Sequence, residues 1–153
     1  MSLITAYRIA DSRHPIFDGT GAMINGGRWN SPGNAVIYAS LSFACAMLEI
    51  LVRVGRGGIP LSQKYVKIEI PDDIQGEQLD SCASGIGIEK MDLFDCRAYG
   101  DLWYSKRRSV YLIVPSAVAP EDHNIILNTQ HLDFHKIKVS SPLTIEWDER
   151  LFR

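Results

Sequence analysis

The chain has 153 residues, 46 % of them apolar and 22 % charged, with a formal net charge of −2. That length holds one domain with a real core (residues 1–153 read as a single domain) and is too short for two. The composition is globular rather than disordered, and a near-neutral charge without long like-charged runs argues against nucleic acid as a direct partner. Lys106-Arg107-Arg108 is a basic cluster that reads as a solvated face.

Leu3 to Ile9 alternates and reads as an opening strand carrying Tyr7 and Arg8. Asp11 to Gly27 reads as a long loop punctuated by Pro15, Gly19, Gly21, Gly26 and Gly27, with Phe17, Met23 and Ile24 as apolar anchors. Loops of that length in compact domains are often functional. A short apolar strand follows, Ala35 to Ala39, bearing Tyr38. Ser40 or Ser42 then caps a helix, and Leu41, Ala44, Cys45, Leu48, Leu51 and Val52 form its expected apolar face. Gly55 to Pro60 ends that helix.

Tyr65 to Ile70 is a cleanly alternating strand closed by Pro71-Asp72-Asp73. Residues 74–100 lack strong periodicity. A short helix is expected around Ile88 to Phe94, and a helical turn over Asp101 to Lys106 with Leu102 and Trp103 inward. Ser109 to Val114 is a buried strand stopped by Pro115; Ile125 to Leu127, Ile137 to Val139 and Leu143 to Trp147 are further strands. Strands outnumber helices and cluster late. The expected fold class is α+β, one compact domain with a mainly antiparallel sheet. Gly55-Arg56-Gly57-Gly58 follows a helix, not a strand, so a dinucleotide-binding glycine fingerprint is excluded.

The three cysteines, Cys45, Cys82 and Cys96, are odd in number and lack metal-ligand spacing. No disulfide framework and no metal site is expected, and His131 and His135 find no third ligand. No apolar run reaches about 18 residues and no signal-peptide pattern opens the chain, so no membrane association and a cytoplasmic location are expected.

The anomaly is Glu49, a lone carboxylate in an otherwise apolar helical run from Phe43 to Val52. A carboxylate there costs free energy if buried without a partner. It either faces a polar cleft or pairs with Arg53 four residues on, the favourable orientation.

Gly27-Arg28-Trp29-Asn30, then Tyr38-Ala39-Ser40, then Glu49, then Val114-Pro115-Ser116-Ala117-Val118 with Asn124 and Asn128 downstream, resembles the RES-domain family. The resemblance spans Tyr7 to about Phe134. It implies a fold similar to ADP-ribosyltransferase toxins and a toxin of a type II toxin–antitoxin pair. It implies consumption of NAD+ as a substrate, with no separate cofactor. Hydrolysis or phosphorolysis of the nicotinamide–ribose bond is the first expectation, and transfer of ADP-ribose to a host protein the alternative. Carried over by motif, Glu49, Arg28, Tyr38 and Ser116 are the expected catalytic residues, with Ser109 as an alternative to Ser116. Trp29, Gly27, Asn30 and Asn128 are the expected substrate contacts. The implied partner is an Xre-type antitoxin in an inhibitory complex, and self-association as a homodimer stays open.

The residue types suit that chemistry. Nicotinamide carries its positive charge on the ring nitrogen and departs neutral, so one carboxylate suffices and no general acid is needed. Arg28 suits a phosphate by its planar donor fork. Gly26 and Gly27 permit close approach of backbone to ligand. Tyr38 suits stacking on the nicotinamide, Trp29 a cleft wall, and Ser116 a hydrogen bond to the ligand. A Ser–His–carboxylate hydrolase from Ser116 and His123 lacks a nucleophile elbow. A non-catalytic binding module, with Glu49 spent on Arg53, is the alternative of another class.

Overall fold

The computed structural model describes residues 3–54, 58–79 and 93–153. The elements in chain order are β1 (Ile4–Asp11), α1 (Thr20–Asn25), β2 (Val36–Ser40), α2 (Phe43–Val54), β3 (Gln63–Ile70), β4 (Glu77–Gln78), α3 (Leu93–Ser105), β5 (Tyr111–Pro115), β6 (His123–Asn128), β7 (Lys138–Val139) and β8 (Leu143–Thr144). Short 3₁₀ turns cover Phe134–Lys136 and Glu149–Phe152.

The strands form one sheet in the order β4-β5-β6-β2-β1-β3-β7, with β8 also on β3. Every pairing is antiparallel except β4 with β5. The mainly antiparallel α+β fold expected from the late cluster of strands is the fold observed.

Alternation along the strands sets two faces. Ile37 and Ala39 of β2, Ile125 and Leu127 of β6, and Val66, Ile68 and Ile70 of β3 enter one core layer, closed by the loop residues Ile16, Ile74 and Ile137. Val36 and Tyr38 point to the other face, where Trp103 and Cys96 of α3 cover Leu112, Val114 and Ile126. Tyr7 is paired with Ser40 and so shares the face of Tyr38. There Ala46 and Ile50 of α2 pack on Ile9. Both long helices therefore lie on one face of the sheet.

Several expectations need correction. The Asp11–Gly27 segment is not loop throughout: Thr20–Asn25 forms α1. The expected helical turn at Asp101 is the end of a longer helix, α3, and Trp103 is buried while Leu102 is exposed. The short helix expected around Ile88 to Phe94 falls mostly outside the described residues. The two-residue strand β4 gave no periodic signal. In α2, Cys45, Ala46 and Ile50 are the buried residues, whereas Leu48 is 42 % and Val52 65 % exposed. That helix is apolar almost all round, so periodicity alone selects no face. Ser42 is the cap: its Oγ accepts from Cys45 N at 3.0 Å.

Candidate active site

Glu49 points away from the α2 core and into the sheet-side cleft. Its Oε1 accepts two hydrogen bonds, from Ser116 Oγ at 2.8 Å and from Asn124 Nδ2 at 2.8 Å. Ser116 follows directly on Pro115, at the end of β5, and Asn124 sits at the start of β6 opposite Ser40. Ser116 Oγ in turn accepts from Val118 N at 3.2 Å and Ala119 N at 3.1 Å. Ser40 Oγ donates to Asn124 Oδ1 at 2.7 Å, which aims the amide nitrogen at Glu49. The carboxylate is thus held by a part-buried polar network in which Ser40 and Ser116 are the buried members. Among the described residues Glu49 makes no ion pair with Arg53, so the helical pairing is not what explains it.

Ser109 lies at the other end of β5. Its Oγ accepts from Trp103 Nε1 at 2.8 Å and donates to Tyr111 O at 2.8 Å. Geometry therefore sets Ser116, not Ser109, beside the carboxylate.

A cleft of about 780 Å³ opens over Glu49. Arg28, Tyr38, Glu49, Arg53 and Asn124 line it, with Ala117 and Val118 on the far rim. An adjoining space of about 70 Å³ shares Arg8, Tyr38, Glu49, Arg53 and Asn124 with it and adds Tyr7 and Ser40 to the lining. Arg8, on β1, lines both spaces. Its guanidinium donates to Ile16 O at 2.7 Å and Tyr38 O at 2.8 Å. Burial pushes Arg8 down to about 10, and the nearby charge of Arg53 pushes in the same direction.

Tyr38 lines both spaces, but its hydroxyl is committed. It donates to Asn30 Oδ1 at 2.6 Å and accepts from Trp29 N at 3.0 Å. Burial pushes the phenol up to about 12, so the hydroxyl keeps its proton at neutral pH.

That hydroxyl explains Gly27 differently from the sequence reading. A Cβ on Gly27 would meet Tyr38 Oη at 2.7 Å, so the close approach is to Tyr38. Asn30 is fully buried; its Nδ2 donates to the carbonyls of Ala22, Ser31 and Asn34. It shapes the arginine loop and does not line the cleft. Trp29 reaches the cleft lining, yet it is 4 % exposed and packs edge-on against Tyr99, so it belongs to the core more than to a cleft wall. Asn128 is at the far end of β6 from Asn124, buried, with Nδ2 donating to Tyr104 O and Oδ1 accepting from Gln130 N. Its role is a strand-end turn. At Asn30 and Asn128 a buried amide satisfies backbone groups that would otherwise stand unpaired.

Helix α3 clamps the loop that presents Arg28. Arg97 Nε donates to Gly27 O at 3.0 Å. Asp101 accepts from Ser31 N and Asn34 Nδ2, both at 2.8 Å, and from the Ser31 hydroxyl. Gly100 lets the helix touch the Trp29 carbonyl, which a Cβ would overlap. Sequence reasoning missed Arg97 and Asp101, and treated Arg8 and Asn124 only as passing members of their segments. The available signals were a charge inside an apolar strand for Arg8, and a polar residue opening the Ile125–Leu127 run for Asn124. Among the described residues no cluster of histidine, cysteine and carboxylate suits a metal ion, and no helix is long and apolar enough to cross a membrane.

With the geometry in place, similarity to known proteins is informative. A model of the RES domain matches residues 5–148. This chain belongs to the RES domain family. A Sphingobium sp. (strain YBL2) protein named Prs ADP-ribosylating toxin is 33 % identical over 142 residues, 88 % of this chain and 86 % of the relative. A Toxin Res of Photorhabdus laumondii is 32 % identical over 151 residues, 96 % of each. The toxin–antitoxin complex MbcT–MbcA of M. tuberculosis contains a chain of the same fold, with a TM-score of 0.75 at 21 % identity, covering 99 % of this chain and 87 % of that one. The RES family member described here thus spans 86 % and 96 % of the length of these two relatives, both of which are named as toxins.

Proposed function

We propose that this RES-family protein is an enzymatic toxin that consumes NAD+ by breaking the bond between nicotinamide and ribose. The observation that carries the reading is Glu49, a lone carboxylate whose Oε1 is held by Ser116 and Asn124 at 2.8 Å in a cleft also lined by arginines. When the C1′–N bond breaks, its electron pair passes to the ring nitrogen and nicotinamide leaves neutral. Positive charge then develops on the ribose, and a fixed carboxylate stabilises it. Water or phosphate forms the new bond to C1′ and releases a proton to solvent. Arg8, Arg28 and Arg53 supply the positive charge that a dinucleotide's phosphates require. Tyr38 offers its ring to the cleft while its hydroxyl holds the loop. NAD+ enters as substrate, with no separate cofactor.

The name of the Sphingobium relative favours a second reading, transfer of ADP-ribose to a protein side chain at the same cationic centre. The likeness to a chain from a toxin–antitoxin complex supports an antitoxin partner, for which the family resemblance suggests the Xre type. Such a partner silences the site by covering the cleft, in the cytoplasm where NAD+ is found, with or without a second copy of this chain.

The test is incubation of purified protein with NAD+, with and without phosphate, read by mass spectrometry. Nicotinamide with ADP-ribose or its phosphorylated form supports degradation. A mass gain of one ADP-ribose on a target protein supports transfer. Intact NAD+ under every condition overturns both.

A further inference from the structure

We propose that Trp147, together with Ile145, is a positioning residue for Glu49, acting from the flank of α2 that faces away from the cleft. The segment that carries them starts at β8, where Leu143 pairs with Tyr65 and Thr144 with Lys64 of β3. It then reaches α2. Ile145 is buried in one cluster with Ile9 of β1 and with Ala46 and Ile50 of α2, and Trp147 packs on that cluster, as Met47 does. The segment ends in the 3₁₀ turn Glu149–Phe152. There Asp148 Oδ1 accepts from Arg150 N at 2.9 Å, and Phe152 meets the Trp147 ring edge-on at 6.0 Å. Neither Ile145 nor Trp147 lines the cleft. At about 100° of turn per residue, Met47 lies about 160° round the helix from Glu49 and Ile50 about 100°. The cleft network and this segment therefore hold α2 from different sides.

Nothing in the sequence of α2 fixes its rotation. Leu48 and Val52 are exposed although they are as apolar as Ile50, which is buried. A small roll exchanges one apolar contact for another at little cost. The same roll carries the Glu49 carboxylate off Ser116 and Asn124, whose hydrogen bonds of 2.8 Å tolerate little displacement. Ile145 and Trp147 close the far flank of the helix and oppose that movement. The first turn is held in a similar way, with Phe43 edge-on to Tyr7 at 5.6 Å and to Tyr65 at 4.8 Å. The indole serves by its area. Its Nε1 is shielded from solvent, and no acceptor reaches it among the described residues. A donor buried unpaired weighs against folding, so the ring's shape, and not a hydrogen bond, accounts for a tryptophan at this position.

That the brace serves catalysis rests on the NAD+ reading above; that it holds α2 does not. Nicotinamide release from NAD+ is measured on the full chain as wild type, Trp147→Ala, Trp147→Phe and Phe134→Ala, at a temperature where circular dichroism shows each to be folded. Phe134 stacks on Phe17 in the core layer on the opposite face of the sheet, so its truncation lowers stability without touching α2. Trp147→Ala is expected to lower kcat at least about tenfold while KM changes less than about threefold. Trp147→Phe keeps a ring and drops the unpaired donor, and is expected to restore kcat to within about twofold. Phe134→Ala is expected to keep the wild-type kcat. Should Trp147→Ala not fold, Ile145→Val removes one methyl from the same cluster and is expected to lower kcat in the same sense. A wild-type kcat in the folded brace variant, or a fall matched by Phe134→Ala, overturns the positioning role. Hydrogen exchange decides the brace without turnover. Faster exchange along α2 relative to β6 is expected in Trp147→Ala and not in Phe134→Ala; equal exchange in wild type and Trp147→Ala overturns the brace. Should wild type leave NAD+ intact, the proposed activity fails while exchange still decides whether this segment holds α2.

Discussion

Ser116 Oγ donates to Glu49 Oε1 at 2.8 Å across 67 positions of sequence. The same hydroxyl accepts backbone N–H groups from Val118 and Ala119. Donation into the serine oxygen polarises its O–H toward the carboxylate, so the serine positions Glu49 and is not set up as a nucleophile. Ser116→Ala is expected to lower kcat by about 10- to 100-fold with KM for NAD+ changed much less. Steady-state kinetics on a folded variant checks this; an unchanged kcat contradicts it.

Asn124 donates to the same oxygen, Glu49 Oε1, at 2.8 Å. Substitutions that act through one shared partner are not additive. Asn124→Ala alone is expected to resemble Ser116→Ala, and the double variant to lose less than the product of the two factors. A double-mutant cycle in kcat/KM measures it, and strict additivity is the contrary result.

The arginine loop depends on buried amide bonds. Asn30→Ala removes donors to the carbonyls of Ala22, Ser31 and Asn34, and the acceptor of the Tyr38 hydroxyl. Leaving such groups buried and unpaired costs about 2–4 kcal/mol. Chemical denaturation is expected to show that loss, together with a raised KM because Arg28 is carried by the loop. Normal stability would mean the loop is held by other means.

Gly100 is where α3 meets the loop: an added Cβ would lie 1.8 Å from the Trp29 carbonyl oxygen. Backbone on both sides leaves little to yield, so Gly100→Ala is expected to lower the melting temperature clearly. Gly21→Ala is the comparison, since nothing lies within 4 Å of its Cβ; it is expected to be neutral or mildly stabilising. Equal melting temperatures for the two variants would contradict the close approach.

Burial raises Tyr38 from 10.0 to about 12. Above pH 10 the unfolded chain ionises this phenol while the folded chain holds its proton. Its contribution to stability is therefore complete below pH 10 and falls as pH rises toward 12. Tyr38→Phe is expected to flatten that part of the stability–pH profile. Activity between pH 6 and 9 is expected to show no step from this phenol, and a step that vanishes in Tyr38→Phe would contradict it.

Much of the fold was readable because alternation is a strong signal where one face is buried. Tyr65 to Ile70 and the Ile125–Leu127 run both emerged as strands, and each extends slightly beyond its apolar stretch. The apolar face of α2 was misread because an almost wholly apolar helix carries no period. Glu49 stood out as the exception in that helix, and its place in the cleft follows. Its partners did not follow from local pattern: Ser116 and Asn124 arrive from the two strands of a hairpin, by pairing that spacing cannot reveal. Asn30 and Asn128 illustrate the opposite case. A polar residue beside a motif looks like a ligand contact, yet both amides are spent inside the fold, Asn128 on backbone groups and Asn30 on backbone carbonyls and the Tyr38 hydroxyl. Asp101 was unreadable as a loop clamp, because its partners Ser31 and Asn34 lie about seventy residues earlier in the chain.

The most direct test of the account is nicotinamide release from NAD+ by antitoxin-free wild type beside Glu49→Gln, both shown to be folded. Gln keeps the size of the side chain and an acceptor for Ser116 and Asn124, and removes the charge. Release by wild type and a loss of at least about 100-fold in the variant are expected. Equal rates in the two proteins, or no release by wild type, would contradict it.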